Sequence, residues 1–106
     1  MIDEETIKEI VSRLLDAAPH GSKVILFGSQ ARGDADARSD IDLLVVEPKV
    51  VDRMDEMVRL GRVLAPLLVP VDLLVASAEH YDYWRDTPNT VYYRAAKEGK
   101  VYEQVA

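Results

Sequence analysis

The chain has 106 residues, 48% apolar and 30% charged, the balance of one small globular domain and not of a disordered, fibrous or two-domain chain. Thirteen basic against nineteen acidic side chains give a net charge of −6, which opposes sequence-independent binding to DNA or RNA, where basic residues must displace counterions from phosphates. The absence of cysteine excludes disulfides and thiolate metal sites, so any metal falls to oxygen ligands or the two histidines, and hard cations such as Mg²⁺ are favoured. The longest nearly uncharged apolar stretch, Val63 to Val71, contains two prolines and falls far short of the ~20 residues that cross a bilayer. With an acidic start, Met-Ile-Asp-Glu-Glu, in place of a secretory leader, the sequence predicts a cytoplasmic protein with no membrane segment.

From Glu4 to Ala18, apolar residues recur at helical spacing through Ile7, Ile10, Val11, Leu14 and Leu15, with Asp3 placed to cap the start and Pro19 beyond the end. Lys23 to Phe27 is a short β-rich run halted at Gly28 and reads as a buried strand. Gly28 to Ser39 turns small and polar, with room for one helical turn over Ser29–Arg32 and then a loop. Asp40 to Val46 predicts a second strand ended by Pro48, and Val50 to Leu64 a second long helix. Val69 to Ala76 predicts a third strand with Pro70 near its start, where a missing backbone donor is tolerable. Ser77 is placed to cap a helix through about Arg85, a last helix runs from about Asn89 to Glu98, and Val101 and Tyr102 form a closing edge strand. The expected fold class is α/β (α+β), a small mixed sheet flanked by helices in a single domain over residues 1–106.

Asp40 and Asp42 stand two apart at the mouth of an apolar strand, so their side chains leave one face with Cα atoms ~6.6 Å apart. Two unpaired acids there cost stability by repulsion and desolvation, and a shared cation would supply the reason for them. Asp72 interrupts the third strand in the same way. If the two strands are neighbours, Asp72 completes a three-carboxylate cluster able to hold two Mg²⁺ ions for in-line phosphoryl displacement. Read alone, Asp-x-Asp also fits a turn cap and an arginine partner, with Asp72 on a solvated strand face. Upstream, Gly28-Ser29 follows a strand directly and offers backbone N–H groups and a hydroxyl to the phosphates of a nucleotide, although a Gly-Ser pair by itself is only a turn signal.

The ordered pattern Gly28-Ser29-Gln-Ala-Arg-Gly-Asp-Ala-Asp-Ala-Arg-Ser-Asp40-Ile-Asp42-Leu-Leu-Val, followed by Val-Asp72-Leu-Leu-Val, resembles the nucleotidyltransferase fold of the DNA polymerase β superfamily. In particular it resembles the minimal nucleotidyltransferases (MNT) that accompany HEPN-domain toxins in prokaryotic toxin–antitoxin pairs. The resemblance covers nearly the whole chain. It implies that Gly28 and Ser29 hold the triphosphate of ATP, that Asp40 and Asp42 ligate both of two Mg²⁺ ions, and that Asp72 ligates the catalytic one and assists deprotonation of the attacking hydroxyl. It further implies a protein adenylyltransferase that moves AMP from ATP to a tyrosine of a cognate HEPN ribonuclease toxin and acts as its antitoxin. Two other readings stay open: an antitoxin that neutralises by binding alone, and nucleotide transfer to a small molecule such as an aminoglycoside. On this length no acceptor-binding domain is expected, so the acceptor is expected to come from elsewhere, in a homodimer or in a hetero-oligomer with the toxin.

Arg32, three residues past Ser29, is close enough in sequence to neutralise phosphate charge and equally suits a surface helix. Asp34, Asp36 and Arg38 read as a solvated loop, and Ser39 as a partner for backbone groups. His20 and His80 are isolated in sequence from the acids and are not read as ligands. Tyr81, Tyr83, Trp84, Tyr92 and Tyr93 divide between core packing and a surface for a protein partner.

Overall fold

The computed structural model describes residues 2–35 and 40–104. Along the chain run α1 (Glu4–Ala17), β1 (Lys23–Phe27), α2 (Ser29–Arg32), β2 (Ile41–Glu47), α3 (Arg53–Leu64), a 3₁₀ turn (Ala65–Leu67), β3 (Val71–Ser77), α4 (Ala78–Trp84), α5 (Val91–Glu98) and β4 (Lys100–Glu103). The strands form one mixed sheet in the order β3-β2-β1-β4. β1 pairs antiparallel with both β2 and β4, and β2 pairs parallel with β3, α3 making the crossover that a parallel pair requires.

Alternation along the strands divides the core into two layers. Val24, Leu26, Ile41, Leu43, Val45 and Val75 pack with Ile10, Leu14 and Leu60 of α1 and α3. Ile25, Phe27, Leu44, Val46 and Ala76 face the other way, onto Tyr81 of α4 and Ala95 of α5. Because helices cover both faces, Leu43, Leu44, Val45 and Val46 of β2 are all buried, which is why that strand reads as a continuous apolar run.

Several predicted boundaries shift, each for a local reason. α3 begins at Arg53, not Val50, because the Asp52 carboxylate accepts from Asp55 N–H and fixes the start, leaving Val51 fully exposed. β3 begins at Val71 with Pro70 outside it, where the Pro70 carbonyl accepts from Ile41 N–H. Asn89 has φ +70 and is outside α5, whose cap is Thr90. β2 begins at Ile41, so Asp40 stands just before the strand. The predicted caps Asp3 and Ser77 accept from Thr6 and His80 N–H.

Two long-range polar arrangements lie at the end of the sheet where β1 starts. The Gln104 amide donates to the carbonyls of Leu15, Ala18 and Pro19 and accepts from Gly21 N–H, satisfying groups that the end of α1 leaves open. At the end of β2, Glu47 is only 2% exposed and shares a hydrogen bond with Glu56, which in turn takes both Nε and Nη2 of Arg59 at 2.7 and 2.8 Å. Burial, then the hydrogen bond and charge of Glu56, push the Glu47 carboxyl up to about 8, while Arg59 holds Glu56 ionised.

This pair predicts a pH dependence of stability. The folded chain keeps a proton on Glu47 that the unfolded chain releases above its ordinary value, so stability falls as pH rises from about 4.5 toward 8. The slope reaches at most about 1.4 kcal/mol per pH unit. Glu47→Gln retains a donor toward Glu56 but does not titrate, so urea midpoints of the wild type relative to this variant should decline across that window. A constant difference from pH 5 to 8 would refute the shared proton.

Candidate functional site

β1, β2 and β3 place Gly28, Asp42 and Asp72 at the end of the sheet opposite Gln104. The antiparallel register sets Phe27 against Asp42, so Gly28 emerges beside the start of β2. The parallel register sets Asp42 directly against Asp72. Adjacent in-register residues share a sheet face, here the face of Phe27 and Leu44 that α4 and α5 cover. Asp40 lies two residues earlier, exposed, at the mouth of β2. Asp36, Arg38 and Ser39 lie outside the described residues.

Gly28 turns the chain with φ +73 and ψ −157, a conformation that side chains disfavour. A Cβ at this position would overlap Oδ2 of Asp42, so the glycine leaves space that the carboxylate fills. Ser29 opens α2 and Gly33, in a left-handed conformation, closes it. Burial first, then the charge of Asp72 and more weakly that of Asp40, hold the Asp42 carboxyl above the usual range, while Arg94 and Arg32 pull it down.

Among the described residues, no three His, Cys, Asp or Glu side chains stand close enough together to hold a metal ion. The donor chemistry nevertheless fits a hard dication: the Asp42 carboxylate stands in register with that of Asp72, and the chain offers no thiolate. His80 packs edge-on against Tyr92 at 5.1 Å, and His20 lines a cavity at the opposite end with Gln104, so neither joins the acids. The aromatic group divides as Tyr81 buried, Tyr92 and Tyr93 half-buried, and Tyr83 and Trp84 exposed and stacked edge to face at 5.0 Å.

Arg32 is turned toward the site's rim. It pairs with Asp34 at 3.1 Å and with both oxygens of Glu98 at 3.1 and 3.2 Å. Glu98 also accepts from Gly28 N–H at 3.0 Å. Arg94 lies 3.9 Å from the same carboxylate, its guanidinium 5.5 Å from the centre of the Phe27 ring. Neither Arg94 nor Glu98 stands out in the sequence, because an arginine and a glutamate four apart on a helix are a common surface pair.

Residues 4–103 match the family described as the nucleotidyltransferase domain. The chain belongs to that family. A crystal structure named as a putative nucleotidyltransferase from Sulfolobus solfataricus shares the fold with 29% identity and a TM-score of 0.64, covering 92% of this chain and 77% of that one. A toxin–antitoxin structure with AMP-PNP superimposes with TM-score 0.64 and 22% identity over 97% of this chain and 75% of its own. A Methanocaldococcus jannaschii protein named as a putative protein adenylyltransferase is 49% identical over 47 residues. That match spans 43% of this chain and 47% of the relative, about half its length. The nucleotidyltransferase fold predicted from the sequence is therefore the observed one. Among the described residues, no helix is long and apolar enough to cross a membrane.

Proposed function

We propose that residues 1–106 form one minimal nucleotidyltransferase domain that works in the cytoplasm as a Mg²⁺-dependent protein adenylyltransferase. It moves AMP from ATP to a tyrosine of a cognate HEPN ribonuclease toxin and so serves as its antitoxin. The observation that carries this reading is the pairing of Asp42 with Asp72 on the sheet face beside the Gly28–Ser29 turn. The name of the archaeal relative supports a protein acceptor, and the fold shared with a toxin–antitoxin structure supports a toxin as that protein.

Gly28 and Ser29 receive the β- and γ-phosphates, and Arg32 offsets their charge. Asp40, Asp42 and Asp72 hold Mg²⁺, which when bound neutralises the phosphates and the leaving group. The tyrosine oxygen bonds to the α-phosphorus as its proton passes to Asp72. The bond from the α-phosphorus to the bridging oxygen breaks, and pyrophosphate leaves with the electron pair. Such transfer needs positioning and neutralisation more than covalent participation, which suits a site made of carboxylates, a turn and a guanidinium.

Incubation with α-labelled ATP, Mg²⁺ and a cognate HEPN chain should place label on the toxin. Neutralisation without label, retained by Asp42→Ala, would instead establish an antitoxin that acts by binding. Label that passes to an aminoglycoside and not to the toxin would move the acceptor to a small molecule.

A further inference from the structure

Glu98 is the last residue of α5, where the helix dipole disfavours a carboxylate. What holds it there suits an oxyanion: Gly28 N–H donates at 3.0 Å and Arg32 Nη1 at 3.1 and 3.2 Å, and the Arg94 charge stands 3.9 Å away, beyond hydrogen-bond reach. A backbone amide flanked by two guanidiniums is the recognition chemistry of phosphate as much as of carboxylate. Resting on the reading above, which gives the Gly28–Ser29 turn to the triphosphate, these contacts mean that an oxyanion of the chain itself sits where a phosphate must go.

We propose that Glu98 is an internal stand-in for a nucleotide phosphate, and that Arg94 joins Arg32 as the cationic pair that Glu98 releases to the triphosphate. Two oxyanions cannot share the Gly28 amide at hydrogen-bond distance. Arrival of the phosphate therefore requires Glu98 to turn away, and its departure releases Arg94 and the Nη1 of Arg32, whose Nε stays on Asp34, at the moment a new anion needs them. The movement is small, because Glu98 rotates about side-chain bonds at a helix end and Gly99 follows it. The Arg94 guanidinium lies over the Phe27 ring, a contact that does not depend on Glu98.

Calorimetric titration of the full chain with inorganic tripolyphosphate, with MgATP and with adenosine tests this. Glu98→Gln should tighten tripolyphosphate and ATP about fivefold to tenfold and leave adenosine unchanged. Glu98→Asp, which withdraws the carboxylate by one methylene, should tighten them less and provides a second reading if the glutamine variant folds poorly. Arg94→Gln should weaken tripolyphosphate about tenfold in both the wild-type and Glu98→Gln backgrounds. ATP binding by the wild type with no gain, or a loss, in both Glu98 variants would overturn the stand-in role and leave the nucleotide site intact. An Arg94→Gln variant that binds tripolyphosphate as the wild type does would overturn the assignment of Arg94. Failure of every form to bind ATP or tripolyphosphate would overturn this inference and the nucleotide site together.

Discussion

Asp42→Asn should lower nucleotidyl transfer by about a thousandfold or more, the several kcal/mol that charge neutralisation at a transferring phosphoryl group contributes. Asp42 stands opposite Asp72 in register, and burial first, then the charges of Asp72 and Asp40, raise its carboxyl. If the proposed metal site is right, removing its charge takes from the cation the more buried of the two apposed carboxylates. The same change should leave the fold equally stable or slightly more stable at pH 7 in metal-free buffer, because burial and like charge both oppose ionised Asp42. Millimolar Mg²⁺ should raise the melting temperature of the wild type and not that of the variant. Full activity in Asp42→Asn, or an identical Mg²⁺ response in both chains, would remove Asp42 from the metal site.

Gly28→Ala carries the second large effect, and here stability and activity fall together. An alanine would have to hold φ +73 and would drive its Cβ into the Asp42 carboxylate, so the chain must distort or the carboxylate must leave its place. Backbone strain of this kind costs about 1–3 kcal/mol, and the overlap adds to it, for a total of about 2–4 kcal/mol. The overlap has its own signature. In an Asp42→Gly background, where no side chain opposes the new methyl group, Gly28→Ala should cost only the strain. An equal cost in both backgrounds, measured by urea unfolding, would mean that the carboxylate does not occupy the space the glycine leaves.

The parts of the molecule that are legible in its sequence are those whose cause is local or periodic. β1, β2 and β3 follow from apolar runs bounded by Gly28, Pro48 and Pro70, α2 from the small turn after β1, and the caps at Asp3 and Ser77 from oxygen-bearing side chains just before apolar periodicity. The apposition of Asp42 and Asp72 was available as a conditional expectation, since only the pairing of β2 with β3 was needed to bring them together. The start of α3 was not, because Val50 and Val51 continue the apolar spacing and only the hydrogen bond at Asp52 decides where the helix begins.

Glu98 and Gln104 lay beyond sequence reading for a different reason. Glu98 meets Gly28 from 70 positions away and Gln104 meets Leu15 from 89, and no spacing or motif links either residue to that distant partner. The Gly28 N–H and the carbonyls that Gln104 reaches are backbone groups, which every residue carries, so residue type at the far end gives no hint of these contacts. Glu47 is similar: an acid closing an apolar strand looks like a solvated end until α3 packs over it.

The Gln104 amide has a practical consequence for handling the protein. Antiparallel pairing of β1 with β4 sets Glu103 beside Lys23, four residues along β1 from Phe27, so anything grafted after this point emerges roughly 13 Å or more from the carboxylates. An affinity tag or fluorescent reporter fused there should leave the carboxylate end of the sheet uncovered, provided the glutamine is retained as the anchor of the last turn of α1.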